Sequence, residues 1–337
     1  MLDVTKPIKS VTYTGSETFF ENLFTSDEPI VIRKLVSSWP AVRAAMESHQ
    51  AVCEYLLQFY EDADFFGFFG QPEHGGRIFY DDSFSGFNYN KIFFKFGDAL
   101  NKLEEFRKEE KPPTLYIGST SVDQYLPGFR AQNNLPLNHL NPFMGMWICN
   151  RSRIAAHWDN PPNIACCVSG RRRFTLFPFA QLDNLYVGPL DRTPAGQAIS
   201  MVDFHAPDFD KHPKFREALK HAQTTELEPG DALFIPGMWW HHVESLEPLN
   251  ILVNYWMNDY APSYGNAIDA MYHAILSIRD LPEKQRDAWK MMFDRYVFNF
   301  DSEHIEHIPE HAQGILGKSS PDWARRIRAY LIAQLNR

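Results

Sequence analysis

The chain has 337 residues, 44 % of them hydrophobic, enough for one large domain with an appended subdomain or for two domains. Its formal charge of −9 and acidic pI argue against a general nucleic-acid or anionic-membrane surface, while leaving room for a local basic patch. No stretch approaches the roughly 20 apolar residues of a membrane span, and the opening MLDVTKPIKS lacks the apolar run of a signal peptide.

Residues 1–113 read as a mixed α/β segment packing on a core. Pro29-Ile30-Val31-Ile32 predicts a short strand after an acidic turn, Ala41 to Tyr60 a helix, and Asp64 to Gly70 an aromatic strand. Asn90 to Arg107 reads as an amphipathic helix, with Ile92, Phe93, Phe96, Leu100, Leu103 and Phe106 mostly three or four apart. The charged stretch Lys108 to Lys111 and then Pro112-Pro113 end it.

Residues 114–260 turn to strands. Leu115-Tyr116-Ile117, Gly145 to Cys149, Asn163 to Val168, Arg173 to Phe177, Ala232 to Ile235 and Ile251 to Trp256 are short, apolar and punctuated by Gly, Pro or Asn. Ser169-Gly170 reads as a hairpin turn between two of them. The pattern is that of an antiparallel barrel or jelly roll, and the 27 Phe, 14 Tyr and 8 Trp suit its interior and a pocket with stacking walls. Residues 178–228 form a long insertion rich in Asp, His and Pro, of a length that is often functional. Together with Phe65 to Phe69 it is expected to shape a substrate entrance.

Residues 261–337 become helical after Pro262. One stripe runs through Ile268, Met271, Tyr272, Ile275 and Leu276, and a second through Trp289, Met292, Phe293, Tyr296 and Val297. Ser320-Pro321 starts a third helix, with Ser at the N-cap and Pro in the first turn. Its stripe includes Trp323, Ile327, Tyr330 and Leu331. Such stripes serve as core or dimer contact.

Cys53, Cys149, Cys166 and Cys167 form no C-x-x-C pair. Adjacent Cys166 and Cys167 are poorly placed to bond each other, so free thiols in a reducing, cytoplasmic compartment are expected. They read as buried strand residues, with no histidine pairing to make them nucleophiles. His304, His307 and His311 mimic a helical metal cluster, but Pro309 interrupts that helix.

The feature with chemical content is His157-Trp158-Asp159 followed much later by His241. Strand alternation lets His157 and Asp159 converge while Trp158 faces away. His241 is read at the end of the strand opened by Pro229-Gly230-Asp231 and running through Ala232 to Pro236. Inward positions of separate barrel strands meet at the axis. Two imidazoles and one carboxylate occupy one face of an octahedral Fe(II) and leave the opposite face for a bidentate co-substrate and dioxygen.

In AHWDNPPNIACCVSGRRRFTLFP, VDFHAPDFDKHPKF, GDALFIPGMWWHHVESL and NILVNYW the sequence resembles the JmjC-type cupin dioxygenases, which use Fe(II) and 2-oxoglutarate. It is most similar to the branch of the asparaginyl hydroxylase that inhibits hypoxia-inducible factor. The resemblance covers residues 114–260 well and the N-terminal part loosely. It implies a mainly β fold with α-helices: a double-stranded β-helix (jelly-roll, cupin) core, N-terminal helices and a C-terminal helical extension. It implies His157, Asp159 and His241 as metal ligands, with His242 as the alternative third ligand. Arg172 falls where a lysine clasps the distal carboxylate of 2-oxoglutarate, and an arginine fork suits that carboxylate. Tyr116 matches a phenol on the same carboxylate, Asn163 a polar residue near the co-substrate, and Asn254 and Trp256 residues lining the pocket beside the metal. Ile154 departs from the pattern, standing where a threonine would bond the co-substrate.

The implied function is an Fe(II)- and 2-oxoglutarate-dependent oxygenase using dioxygen, a hydroxylase of a protein side chain or small molecule. The negative charge weighs against tRNA, and no membrane partner is expected. Related hydroxylases imply a homodimer through the C-terminal helices. The rivals are a metal-dependent cupin enzyme that needs no 2-oxoglutarate and a non-catalytic cupin binding module.

Overall fold

The structure is a computed structural model. It describes residues 4, 6–16, 18–194, 196–257 and 265–336. Pro262, from which the sequence predicts helices, lies outside the described residues, as do its neighbours 258–264. The chain divides into two compact units, Met1–Asn258 and Asp259–Arg337.

The first unit contains, in chain order, β1 (Lys9–Thr12), β2 (Ile30–Arg33), β3 (Asp64–Gly70), β4 (Arg77–Ile78), β5 (Tyr89–Lys95), β6 (Thr114–Ser121) and β7 (Phe143–Cys149). There follow β8 (Ser152–His157), β9 (Asn163–Ser169), β10 (Arg172–Phe177), β11 (Gln223–Leu227), β12 (Ala232–Ile235), β13 (Trp240–Ser245) and β14 (Asn250–Trp256). They make a nine-stranded sheet ordered β1-β2-β12-β9-β14-β7-β6-β3-β5 and a five-stranded sheet ordered β11-β10-β13-β8-β4. All pairings are antiparallel except β1 with β2 and β4 with β8. This is the jelly-roll core with helices. Strands from residues 1–113 extend both sheets.

Alternation distributes the apolar residues among three layers. One face of the large sheet packs against helices Pro40–Glu47, His49–Leu57 and Phe96–Phe106, burying Val52, Leu56, Phe65, Phe96, Leu100 and Tyr255. Between the sheets lie Tyr116, Cys167, Phe174, Leu176 and Leu233. The outer face of the small sheet is covered by the 178–228 insertion, through Leu185, Val202, Phe204 and Phe215 on Phe177 and Trp240. Each side chain buried in this way contributes roughly 1.5–3 kcal/mol. Neighbouring Cys166 and Cys167 fall in different layers, the first under the helices and the second between the sheets. All four cysteines are free.

Several sequence expectations are corrected. Asn90 to Arg107 is not one helix: β5 occupies its first part, and a helix begins only at Phe96. Ile92 and Phe94 pack on the core while Phe93, counted in the helical stripe, is 74 % exposed. That is period two, imposed by pairing with β3. The helix expected over 41–60 breaks at Ser48, whose backbone is extended and whose Oγ accepts from the Ala51 N–H at 3.0 Å, capping the second helix. Ser169-Gly170 does not close a hairpin, because β9 and β10 lie in different sheets. Gly170 (φ +72°) makes the crossing, and a Cβ there would lie 2.6 Å from the Leu249 carbonyl. His241 stands on its own strand, β13, rather than at the end of β12.

The second unit contains helices Ala267–Ser277, Glu283–Phe293 and Pro321–Leu335, with shorter turns between. Ser320 caps the last, its Oγ accepting from the Trp323 N–H at 3.1 Å. Its predicted stripes are largely exposed, Leu276 at 76 % and Val297 at 61 %. His304, His307 and His311 sit on and between short turns. Among the described residues they form no metal-ligating group. No helix among the described residues is long and apolar enough to cross a membrane.

Candidate active site

The cavity between the two sheets measures about 580 Å³. The large sheet supplies Tyr116, Trp147, Asn163, Asn254 and Trp256, and the small sheet Ile154, His157, Arg172 and His241. Every site residue read from the sequence lines this cavity. His242 does not: it faces a separate cavity with Arg173, Phe204, His205 and Glu244.

His157 and His241 are register partners on β8 and β13, with ring centroids 4.3 Å apart. β8 ends at His157, so Asp159 comes from the turn beyond the strand rather than from strand alternation. That turn is tied down by its carbonyl, which accepts the Met238 N–H at 2.8 Å. One ligand atom from each of His157, Asp159 and His241 lies within 4.8 Å of the others. The pairing is irregular between His241 and Val243: Ala155 and Ala156 of β8 face the single His242 of β13. This bulge reverses the alternation, so Ile154 and His157, an odd number of residues apart, both line the cavity.

Backbone carbonyls orient both imidazoles. Nδ1 of His157 lies 2.9 Å from the Ala155 carbonyl, and Nδ1 of His241 lies 3.0 Å from the Trp239 carbonyl. A carbonyl only accepts, so both Nδ1 atoms carry a proton, and the neutral form of either ring has its lone pair on Nε2. Burial first, and the neighbouring His241 second, hold the His157 pKa well below the ordinary histidine value, against the pull of Asp159. Its ring is therefore neutral near pH 7 and free to bind a cation.

The carboxylate is fixed by a chain of polar side chains. Oδ2 of Asp159 accepts from Trp256 Nε1 at 3.0 Å and from Asn163 Nδ2 at 3.3 Å. Asn163 Oδ1 accepts from Asn254 Nδ2 at 3.4 Å, and Asn254 Oδ1 accepts from Trp147 Nε1 at 2.7 Å. Trp147 thus anchors the outer end of the chain. Its place on β7, directly paired with β14, is what brings it there.

In the same cavity, Arg172 is 2 % exposed. Its Nη2 reaches only the Trp147 carbonyl at 3.4 Å and the Cys149 thiol at 3.7 Å, and its Nε has no partner. No carboxylate pairs with it among the described residues. An unpaired buried cation costs several kcal/mol. Its neighbours behave differently, Arg171 pairing with Glu247 and Arg173 with Glu226 at the surface of the sheet. Burial pushes the Tyr116 phenol far above its ordinary pKa, with Arg172 partly opposing, so the hydroxyl stays a hydrogen-bond donor. Ile154 presents only an apolar wall.

The family model for a cupin-like domain matches residues 16–262. The chain belongs to the cupin-like domain family. It is 35 % identical over 132 residues to HSPB1-associated protein 1 of Homo sapiens, covering 38 % of this chain and 26 % of that protein. It is 33 % identical over 122 residues to lysine-specific demethylase JMJ31 of Arabidopsis thaliana, covering 36 % and 22 %. It is 32 % identical over 148 residues to tRNA wybutosine-synthesizing protein 5 of Gallus gallus, covering 40 % and 43 %. The matched part spans less than half the length of each of these relatives. Outside the barrel strands, the cupin-like domain also draws Thr193, Pro194 and Ile199 of the long insertion, and Phe66 and Phe68 of β3, to its cavity. Tyr89 holds the insertion there, its hydroxyl donating to the Pro194 carbonyl at 3.0 Å.

Proposed function

We propose that the protein is an Fe(II)- and 2-oxoglutarate-dependent oxygenase that hydroxylates its substrate. The observation that carries this reading is Arg172, a buried guanidinium without a carboxylate partner among the described residues, facing the same cavity as two buried imidazoles and a fixed carboxylate. His157, Asp159 and His241 would hold the iron, since their donor set suits Fe(II) and their ligand atoms cluster. Bound iron would activate dioxygen, the oxidant: one oxygen atom would enter the substrate C–H bond and the other the 2-oxo acid, which would supply two electrons as it loses carbon dioxide and becomes succinate. The protein's part is positional. Arg172 and the Tyr116 hydroxyl receive the distal carboxylate, Trp256 and Asn163 keep Asp159 in one orientation, and the apolar walls exclude water. Asn254 acts through Asn163.

A cupin enzyme without 2-oxoglutarate has no second carboxylate for Arg172 to clasp, and a non-catalytic binding module has no need of a buried cluster of two His and one Asp, which is costly to bury. The test is calorimetry of Mn(II) and then 2-oxoglutarate, followed by succinate formation with Fe(II) under air. Ordered binding of both and iron-dependent succinate are expected. Failure to bind either one overturns the reading.

The buried free thiols of Cys149, Cys166 and Cys167 support work in a reducing compartment, the cytoplasm. The exposed apolar side chains of the second unit, among them Leu276, Met291 and Phe298, support a homodimer through the C-terminal helices. Light scattering at twice the chain mass is expected, and a monomer would refute it.

A further inference from the structure

A small 2-oxo diacid held at Arg172 fills only part of the 580 Å³ cavity, whose size is that of pockets for whole small-molecule ligands. The remaining space has a distinctive wall. From Trp256 outward, aromatic rings follow one another without a break. Trp147 lies 6.1 Å from Trp256, Tyr116 6.1 Å from Trp147, and Phe68 is stacked 6.1 Å from Tyr116. Phe66 lies 5.3 Å from Phe68, and the exposed Phe93 5.5 Å from Phe66. The rings alternate in orientation, edge-on at 84° and 90° in two of the contacts and stacked at 7° in one, so the series offers both edges and faces to a planar or broad apolar group.

The charge at the mouth is equally one-sided. Asp159 is the one acidic side chain lining the cavity among the described residues, and it belongs to the triad. Lys91 lies on the rim, 6.0 Å from the Phe66 ring, and forms no ion pair among the described residues. An ammonium group entering here meets no free carboxylate. A lone carboxamide leaves most of the space empty.

We propose that the primary substrate inserts a planar or aromatic group along this wall and carries an anionic group that Lys91 receives. This rests on the oxygenase reading only in reserving the Arg172 end for the co-substrate.

The experiment is calorimetry on the Mn(II)-loaded chain saturated with 2-oxoglutarate, using 2-naphthalenesulfonate and 2-naphthylmethylammonium, which share a ring and differ in charge. The sulfonate is expected to bind more tightly. Lys91→Glu should weaken it by roughly fivefold or more and favour the ammonium. Phe68→Ala should weaken both probes, and Phe68→Leu, which keeps apolar packing, should weaken them less. Equal affinities for the two probes, or a Lys91→Glu variant that leaves the sulfonate unmoved, overturn the proposal. If 2-oxoglutarate displaces the sulfonate, the probe sits at Arg172: the proposal fails and the oxygenase reading stands. If 2-oxoglutarate does not bind at all, the oxygenase reading fails, and the effect of Lys91→Glu on the sulfonate, measured without it, still decides the substrate class.

Discussion

The indole N–H of Trp256 donates to Oδ2 of Asp159 at 3.0 Å. This bond joins the end of β14 to the turn after β8 and, together with the bond from Asn163 Nδ2 at 3.3 Å, holds the carboxylate in one orientation. It is stronger than a neutral pair because the acceptor is charged.

Replacing Trp256 with Phe keeps the ring stacked on Phe143 and removes only the donor. Mn(II) affinity should fall roughly ten- to hundredfold, with thermal stability little changed. Calorimetry beside a melting curve checks both, and an unaltered metal affinity would show that Asn163 alone orients the carboxylate.

Arg172→Met exchanges a buried, unpaired cation for an apolar chain. Binding of 2-oxoglutarate should weaken roughly ten- to hundredfold, while Mn(II) still binds. The variant without ligand should be no less stable than the wild type, because the cost of the buried charge disappears. A large loss of stability would mean that Arg172 is structural.

Ile154→Thr places a hydroxyl in the cavity wall beside the proposed co-substrate. A bond to its carboxylate is worth about 1.5–3 kcal/mol, so 2-oxoglutarate should bind at least several-fold more tightly. Titration of the two proteins side by side measures this, and weaker binding would place the co-substrate away from β8.

Glu244 gives a pH dependence outside the triad. Burial raises its pKa, but the hydrogen bond from His205 and the nearby His242, His205 and Arg173 outweigh this and hold it below the ordinary glutamate value. A lowered carboxyl pKa contributes stability that is complete above the unfolded value, about 4.3. That stability is lost as pH falls through the lower folded value. Urea midpoints of wild type and Glu244→Gln should therefore differ most above pH 5 and converge in acid. A gap that stays constant with pH would remove the charge from the explanation.

Residues 1–113 and the second unit show where the chain's local signals suffice and where they fail. Ser320-Pro321 capped its helix as read, since an N-cap is decided by residues within one turn. The strand Asp64 to Gly70 was equally clear, being short, aromatic and bounded by Gly. The stretch from Asn90 was not, because its apolar residues fit period two and period 3.6 alike until pairing with β3 chooses.

The sequence by itself determined the donor set, the strand-rich middle and the presence of an arginine beside two others, because residue type and short spacing are local properties. Tertiary structure alone decided the rest. The bulge opposite His242 turned Ile154 and His157 to the same side, the Gly170 crossing sent β10 to the other sheet, and the β7–β14 pairing made Trp147 part of the site. Each depends on strands distant in the chain, whose register is fixed by burying one face of each sheet and not by any neighbouring residue.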